Sequence, residues 1–504
     1  MKKQRNPTDN YILLPVSKTR IDENENPKVA RFFNDLDPSG KKTATLNLHA
    51  RKAPVQPEQK IPVTILDSLG KMGAKLINIQ KEELADFRFS YPGLRIIREK
   101  FYQPAVASRE KIKIKHKPTQ PSITVTFSIT GPGNREVAGA TVVVFTDFKA
   151  GVGNSGITDT TGHIVLKLSQ AEAERIYVYP EHSYWGSLQT KVKVGSKVTI
   201  SLLPIANAYK DSLRYFYPTP NWPAVNRKVR VGVIDTGIGP HKDLRVAGGK
   251  NMVRGENQAD YHDNGEGHGT HVAGIIAAGG IFPGLAAGVE LMSYRVFPKG
   301  RGASNFDIIK ALDQAIKDQC DLINMSFGEP SDDEALSSYI RDAYNAGILC
   351  FAANGNNDRG TVSFPAAYSL SIAVSAMGRK GTFPDSSVQQ SSVADPYGKD
   401  KNNFIADFSN TGIETDLTAP GVGIISTYPR DLYAVMDGTS MACPAATGLA
   451  ARLLSLNPGL LALERNQTRA DEMVKYLATY TKKLGFGANF EGKGMLYDNN
   501  ELHP

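Results

Sequence analysis
From about residue 208 the chain alternates short apolar runs with stretches of helical periodicity, the pattern of a parallel sheet covered by helices. Residues 229–234, 291–296, 321–325, 348–353 and 371–374 read as strands, and 271–278, 306–318, 333–346 and 441–455 read as helices. In an open α/β sheet the functional side chains gather at the carboxyl ends of the strands, so the chemistry is expected in this half of the chain.

The residues before it follow other patterns. Residues 1–117 are charged and punctuated by proline. They carry an amphipathic, helix-like stretch through Leu69, Met72 and Leu76, then Leu84 and Phe87, then a strand-like run 94–101, which together suggest a small α+β unit. The Lys-Pro-Thr-Gln-Pro stretch at 117–121 reads as a linker, because proline neither continues a helix nor donates to a sheet. Between 122 and 204, runs rich in Val, Ile, Thr and Tyr at 122–129, 140–145, 163–168, 175–179 and 191–203 alternate with glycine-containing turns, as in a small β-sandwich. The third part, 208–504, is the α/β unit.

Composition excludes several classes. The 504 residues are too many for one small folding unit, and three scattered cysteines (Cys320, Cys350, Cys443) form neither a disulfide framework nor a zinc cluster, which fits a reducing compartment. Residues 1–5 begin like a signal peptide, but the apolar stretch Tyr11 to Leu14 halts at Pro15, and the uncharged run 272–289 is broken by glycines, so neither export by that route nor a membrane span is expected. A cytoplasmic location is the resulting expectation. The net charge of +8 is uneven: residues 1–120 hold 24 Lys and Arg against 13 Asp and Glu, whereas 208–504 hold 28 against 32. Lys111, Lys113, Lys115 and Lys117 alternate with Ile112 and Ile114 as on a solvated strand face, so no nucleic-acid or membrane partner is expected.

Three short blocks carry candidate chemistry. The first strand delivers Asp235 at its carboxyl end, followed by Thr236 and Gly237; a solvated turn aspartate is the alternative reading. His268 and His271 stand three residues apart where a helix begins. A third metal ligand and the usual i, i+4 spacing are missing, so His268, flanked by glycines, reads as a general base and His271 as a helix residue packed behind it. Ser440 sits at the start of an apolar helix, where free backbone N–H groups favour an oxyanion; the competing reading is a helix N-cap.

The order Asp, His, Ser, with Val233-Ile-Asp-Thr-Gly237, His268-Gly-Thr-His-Val-Ala-Gly274 and Gly438-Thr-Ser-Met-Ala442, resembles the signature blocks of the subtilisin-like serine peptidases, over about residues 208–497. The resemblance implies a serine endopeptidase acting on polypeptides, with Ser440 as nucleophile, His268 as base and Asp235 as its orienting partner. It also implies Asn356 as oxyanion donor, although Asn354 and Asn357 stand close by. Ser326, Phe327 and Gly328 become the segment on which substrate pairs, and Ser363 the floor of the pocket for the residue before the scissile bond. No cofactor is implied; the oxygen-rich residues of the family's main calcium loop are missing between 278 and 289, so no metal site is identified, and calcium stays open as an alternative.

Two further resemblances are weaker. Segment 139–164 is similar to the transthyretin or carboxypeptidase-regulatory sandwich, and 60–105 resembles the family's inhibitory propeptide, which implies a latent enzyme held by its own N-terminal unit. A proteolytically silent scaffold acting as a binding or regulatory protein is the rival expectation. The polar stretch 378–406 is expected to shape the cleft beyond the scissile bond or to decorate the surface. Cys443, three residues past Ser440, is either a thiol activated by the helix start or a small buried residue.

Overall fold
The computed structural model describes residues 8–16, 18–21, 27, 30, 32–33, 43–47, 60–105, 113–117, 123–218 and 229–498. The signal-like residues 1–5, the linker beyond Lys117, and Lys111 and Ile112 of the basic run lie outside the described residues.

The α/β half is built on a sheet whose neighbours run Val246–Asn251, Glu290–Arg295, Arg230–Asp235, Leu322–Met325, Leu349–Ala353 and Ser371–Arg379, all parallel. Leu417–Pro420 pairs parallel with the last of these, and Asn403–Ile405 antiparallel. Period-two alternation divides each strand between two cores. Val231, Val233, Leu322, Leu349 and Phe351 face one, whereas Ile234, Ile323, Met325, Cys350 and Ala352 face the other. Because both faces are covered, the strands read as continuous apolar runs, and that made them legible. Chain order reverses around Arg230–Asp235, which lies between a later strand on each side, so Asp235 ends the strand at a switch point.

Of the helices, α1 is Leu84–Ser90, in the N-terminal unit. In the α/β half, α2 (His268–Ala277) and α5 (Thr439–Ser455) cover the first core, and α3 (Asn305–Lys317) and α4 (Glu334–Asn345) cover the second. No helix among the described residues is long and apolar enough to cross a membrane.

The N-terminal unit departs from expectation. The stretch through Leu69, Met72 and Leu76 is not helical: strands Lys60–Ser68 and Lys75–Gln80 are joined by a turn at Gly70, and helix begins only after them, with a 3-10 turn at Lys81–Glu83 leading into a helix at Leu84–Ser90. Alternation of Val63 and Ile65, and of apolar Ile77 and Ile79 with polar Asn78 and Gln80, competes at period two with the helical spacing, and glycine breaks the run. The antiparallel sheet orders Thr43–Asn47, Lys60–Ser68, Lys75–Gln80, Thr8–Pro15 and Leu94–Arg98. Its first strand faces two ways: Tyr11 and Leu13 fill the unit's own core, while Ile12 and Leu14 join Phe306, Ile309, Leu336 and Tyr339 of α3 and α4. The expected run 94–101 is split, ending at Arg98 and resuming as Phe101–Pro104.

The sandwich packs Ile123–Thr130, His163–Leu168 and Lys197–Ser201 against Thr141–Asp147, Val152–Ile157, Glu172–Tyr179 and Ser187–Lys193. The single strand expected over 191–203 is two, broken at Gly195, and Val152–Ile157 carries too many small residues to show as a strand in the sequence. The segment 378–406 is not a free surface loop. Leu188 N donates to Ser386 O at 2.8 Å, and Val388 packs with Val143, Phe145 and Tyr177 of the sandwich. Trp185, 2% exposed, joins the core under α2 and α5. Trp185→Ala is therefore expected to destabilise the whole molecule by about 3–5 kcal/mol, read from denaturant unfolding; a change below about 1 kcal/mol would show that the sandwich is only loosely attached.

Candidate active site
Asp235 ends the central strand 1% exposed, so its carboxylate needs donors. Its Oδ1 meets His268 Nδ1 at 2.6 Å and accepts from Thr236 N at 2.7 Å. His268 begins α2, and the next residue is Gly269; a Cβ there would lie 3.1 Å from Asp235 Cβ and 2.3 Å from Gly237 O, so only glycine lets the helix start this close. The turn before it is fixed by Asp263, which accepts from Gly265 N (2.8 Å), Gly267 N (2.9 Å) and Thr270 Oγ1 (2.9 Å). Burial alone would depress the His268 pKa, but the Asp235 charge and hydrogen bond outweigh it and leave it above its ordinary value. His268 Nε2 is buried and meets no partner among the described residues, so one imidazole face of the pair remains available.

Ser440 is the second residue of α5, not its N-cap; that place belongs to Gly438, at φ 150°, which glycine alone enters readily. Pro444 cannot donate to the Ser440 carbonyl four residues back, and Ser326 Oγ replaces it at 3.0 Å, itself held by Asn324 Nδ2 at 2.9 Å. The Ser440 hydroxyl donates to Ser326 O at 2.8 Å. Gly448 of α5 abuts Ile276 of α2, where a Cβ would lie 3.1 Å from Ile276 Cα; small residues thus let the His268 and Ser440 helices pack side by side.

The cleft beside these residues holds the chain itself. Phe101–Pro104 adds as a strand between Ala303–Ser304 and Phe327–Gly328, antiparallel to both. Ala105 N donates to Ser326 O at 3.0 Å, and the Ala105 carbonyl accepts from Ser440 N at 3.0 Å and from Asn356 Nδ2. Asn356 can present only its amide nitrogen, because its Oδ1 already accepts from Thr439 N (2.9 Å) and Thr439 Oγ1 (3.0 Å). Tyr102 is fully buried, its ring 5.7 Å from that of Phe327.

A buried Asp–His pair, a serine at a helix start and two N–H donors on one carbonyl call for comparison with known proteins. The subtilase family model matches residues 226–492, more than half of the chain. The chain belongs to the subtilase family. It is 38% identical over 277 residues to subtilisin DY of Bacillus licheniformis, covering 53% of this chain and 88% of that one. Similar stretches are found in a thermostable alkaline protease of Halalkalibacterium halodurans (36% over 278 residues; 54% and 66% of the two chains) and subtilisin Savinase of Lederbergia lenta (37% over 234 residues; 46% and 77%).

In this subtilase Asn356, rather than Asn354 or Asn357, reaches the Ala105 carbonyl: Asn354 Nδ2 already donates to Asn410 O and Thr415 Oγ1. Ser326, Phe327 and Gly328 lie along the bound segment. Ser363 lies against Gly328, with its Oγ accepting from Asn410 Nδ2 at 3.2 Å. His271 is a helix residue behind the site; burial pushes its pKa down to about 3, and its Nε2 lies 3.1 Å from Ile424 O and 3.2 Å from Ala434 O, tying down the hairpin 424–436. Cys443 is buried, its thiol pushed up to about 12 by burial and donating to Asn324 Oδ1, so it is a packing residue. Sequence reasoning missed Asp263, which lies outside the blocks, and Ala303–Ser304, a two-residue strand without periodicity. The geometry predicts that His268 in full-length protein titrates by NMR above about 6.5, and that Asp235→Asn, which removes the charge but leaves the burial, moves it below. An unchanged midpoint in the variant would show that the carboxylate does not set it.

Proposed function
We propose that Ser440, His268, Asp235 and Asn356 carry out peptide-bond hydrolysis and that the N-terminal unit holds the enzyme latent as its own first substrate. Family membership makes the chain a subtilisin-like serine endopeptidase whose substrates are polypeptides. The observation that carries the proposal is the Ala105 carbonyl, which accepts from Ser440 N and Asn356 Nδ2 at once.

In the proposed reaction the Ser440 hydroxyl leaves Ser326 O and attacks the carbonyl carbon while its proton passes to His268 Nε2. The C–O⁻ that forms keeps the two N–H donors, which strengthen as charge develops. Collapse breaks the C–N bond, and the leaving amine takes the proton from His268, leaving an acyl-enzyme. Water, deprotonated by His268, releases the acid and restores Ser440. Asp235 keeps Nδ1 protonated and offsets the imidazolium charge. With neutral His268 required, kcat/KM rises with pH through a pKa lifted above about 6.5.

The first bond presented is Ala105–Val106. Its cleavage separates the N-terminal unit from the sandwich and α/β half, which stay joined. The small Ala105 suits a pocket narrowed by the Ser363 hydroxymethyl, so small residues are favoured before the cut. Three unpaired cysteines suit the proposed cytoplasmic setting. Mass spectrometry of purified protein should show a cut after Ala105 in the wild type and none in Ser440→Ala; cutting by both, or at an unrelated bond only, overturns the proposal. A wild type that neither cuts nor reacts with a fluorophosphonate would favour the silent scaffold. Asn356→Ala is expected to lower kcat by about 10²–10³ with KM nearly unchanged, since an oxyanion donor acts in the transition state.

A further inference from the structure
The sandwich and the segment 378–406 have no part in the reaction above, yet a short path of contacts leads from them to the nucleophile. Three backbone hydrogen bonds clasp the sandwich to the α/β half: Leu188 N to Ser386 O (2.8 Å), Val388 N to Gly186 O (3.3 Å) and Ser183 N to Tyr433 O (2.8 Å). Val388, 5% exposed, is keyed among Val143, Phe145 and Tyr177. The next residue, Gln389, is 2% exposed and turns the other way, with its Nε2 donating to Asp437 Oδ2 at 2.8 Å. Asp437 Oδ1 accepts from Gly423 N at 2.7 Å, and Gly438 N donates to Gly421 O at 2.8 Å. Thr439 and Ser440 follow directly.

The chemistry at Gln389 is informative. The carboxylate opposite accepts only, so the amide must aim its nitrogen at Asp437, which leaves Oε1 buried with no donor among the described residues. A buried acceptor left unpaired is a cost that an apolar residue of similar size would remove, at the expense of the donor that Asp437 Oδ2 now has. The position is therefore poorly suited to stability alone and well suited to holding a carboxylate at a fixed point.

We infer that the sandwich is a working part of the peptidase: through Val388 and Gln389 it holds Asp437 and the turn that presents Ser440, so that Gln389 is a positioning residue for the nucleophile. This rests on Ser440 being the nucleophile. The sandwich follows Ala105 in the chain, so it stays attached after the proposed cut and the hold persists in the processed enzyme. Gln389 touches neither substrate nor the reacting atoms; it acts only through Asp437.

The test uses the protein freed of its N-terminal unit, after self-cleavage or, in variants that do not cut, by an added protease, with a chromogenic peptide ending in Tyr-Gln-Pro-Ala and a fluorophosphonate as a probe of Ser440. Gln389→Leu keeps the volume and removes the donor. The expected result is a kcat and a fluorophosphonate rate lowered about tenfold, because small displacements of a reacting group are costly to rate, with KM unchanged within about twofold and a Tm close to that of the wild type, since relief of the unpaired Oε1 offsets the donor lost from Asp437. Val388→Ala, which loosens the key into the sandwich, should lower kcat in the same way, and the double variant should lose no more than the larger single loss. Unchanged kcat in Gln389→Leu, a loss that tracks a fall in Tm, or additive losses in the double variant each overturn the inference. Ser440→Ala separates the two levels. If it still reacts with the fluorophosphonate, the nucleophile assignment fails; if it is silent while Gln389→Leu is fully active, only the positioning role fails.

Discussion
The hydrogen bond between Asp235 and His268 sets the geometry of everything around it. A carboxylate at 1% exposure is stable only with donors in place, and two of them come from Thr236 N and His268 Nδ1. For the imidazole to arrive, α2 must start within contact of the strand end, which excludes a side chain at Gly269. Thr236 Oγ1 accepts from Gly269 N at 2.8 Å, and Asp263 holds the turn leading in. The far end of the same helix then fixes α5, because the close approach at Ile276 and Gly448 leaves little freedom in how the two helices lie. The place of Ser440 thus follows from the place of Asp235 through two packed helices, with Ser326 Oγ taking up the carbonyl that Pro444 abandons.

The readings that succeeded from sequence share a physical cause. Strands buried on both faces become unbroken apolar runs, and the blocks around Asp235, His268 and Ser440 carry the resemblance that the family model bears out over residues 226–492. The readings that failed lie where the local signal is ambiguous. Around Leu69 to Leu76 apolar residues satisfy both a helical and a strand spacing, and the sheet wins because Ile12 and Leu14 of a distant strand bury against α3 and α4, a contact invisible in a local window. In the stretch 378–406 polar residues outnumber apolar ones, and its docking into the sandwich rests on backbone hydrogen bonds at Ser386 and Val388 and on one valine side chain, none of which leaves a pattern in the sequence. Ala303 and Ser304 form a strand only because another strand lies between them and Phe327.

Occupation of the cleft by Phe101–Ala105 is not legible in the sequence, where the propeptide resemblance at 60–105 rests on a helix-like stretch and a strand-like run at 94–101. Backbone pairing on both sides is indifferent to side chains, so most of the segment leaves no signature. Side chains matter at Tyr102, which is fully buried with its ring 5.7 Å from that of Phe327.

Magnitudes decide what would keep the N-terminal unit in place once its last bond is cut. Ion pairs cross between the two parts at Arg20 and Asp313, at Arg95 and Glu334 and, with the signs reversed, at Lys310 and Asp67. The Arg20 side chain is 57% exposed and that of Glu334 60%, and exposed pairs contribute about 0–1 kcal/mol each, less in salt. Ile12, Leu14, Leu76 and Tyr102, by contrast, are at most 1% exposed and share a core with α3 and α4, and burying an aliphatic side chain of this kind contributes about 1.5–3 kcal/mol. The apolar face therefore outweighs the ion pairs several-fold, and none of its residues lies beyond Ala105. Cutting the chain there removes a covalent tether and leaves that face intact, so release of the cleft requires a second event that unfolds or degrades the small unit, whose own core is built from Tyr11, Leu13, Val63, Ile77, Ile79 and Phe87.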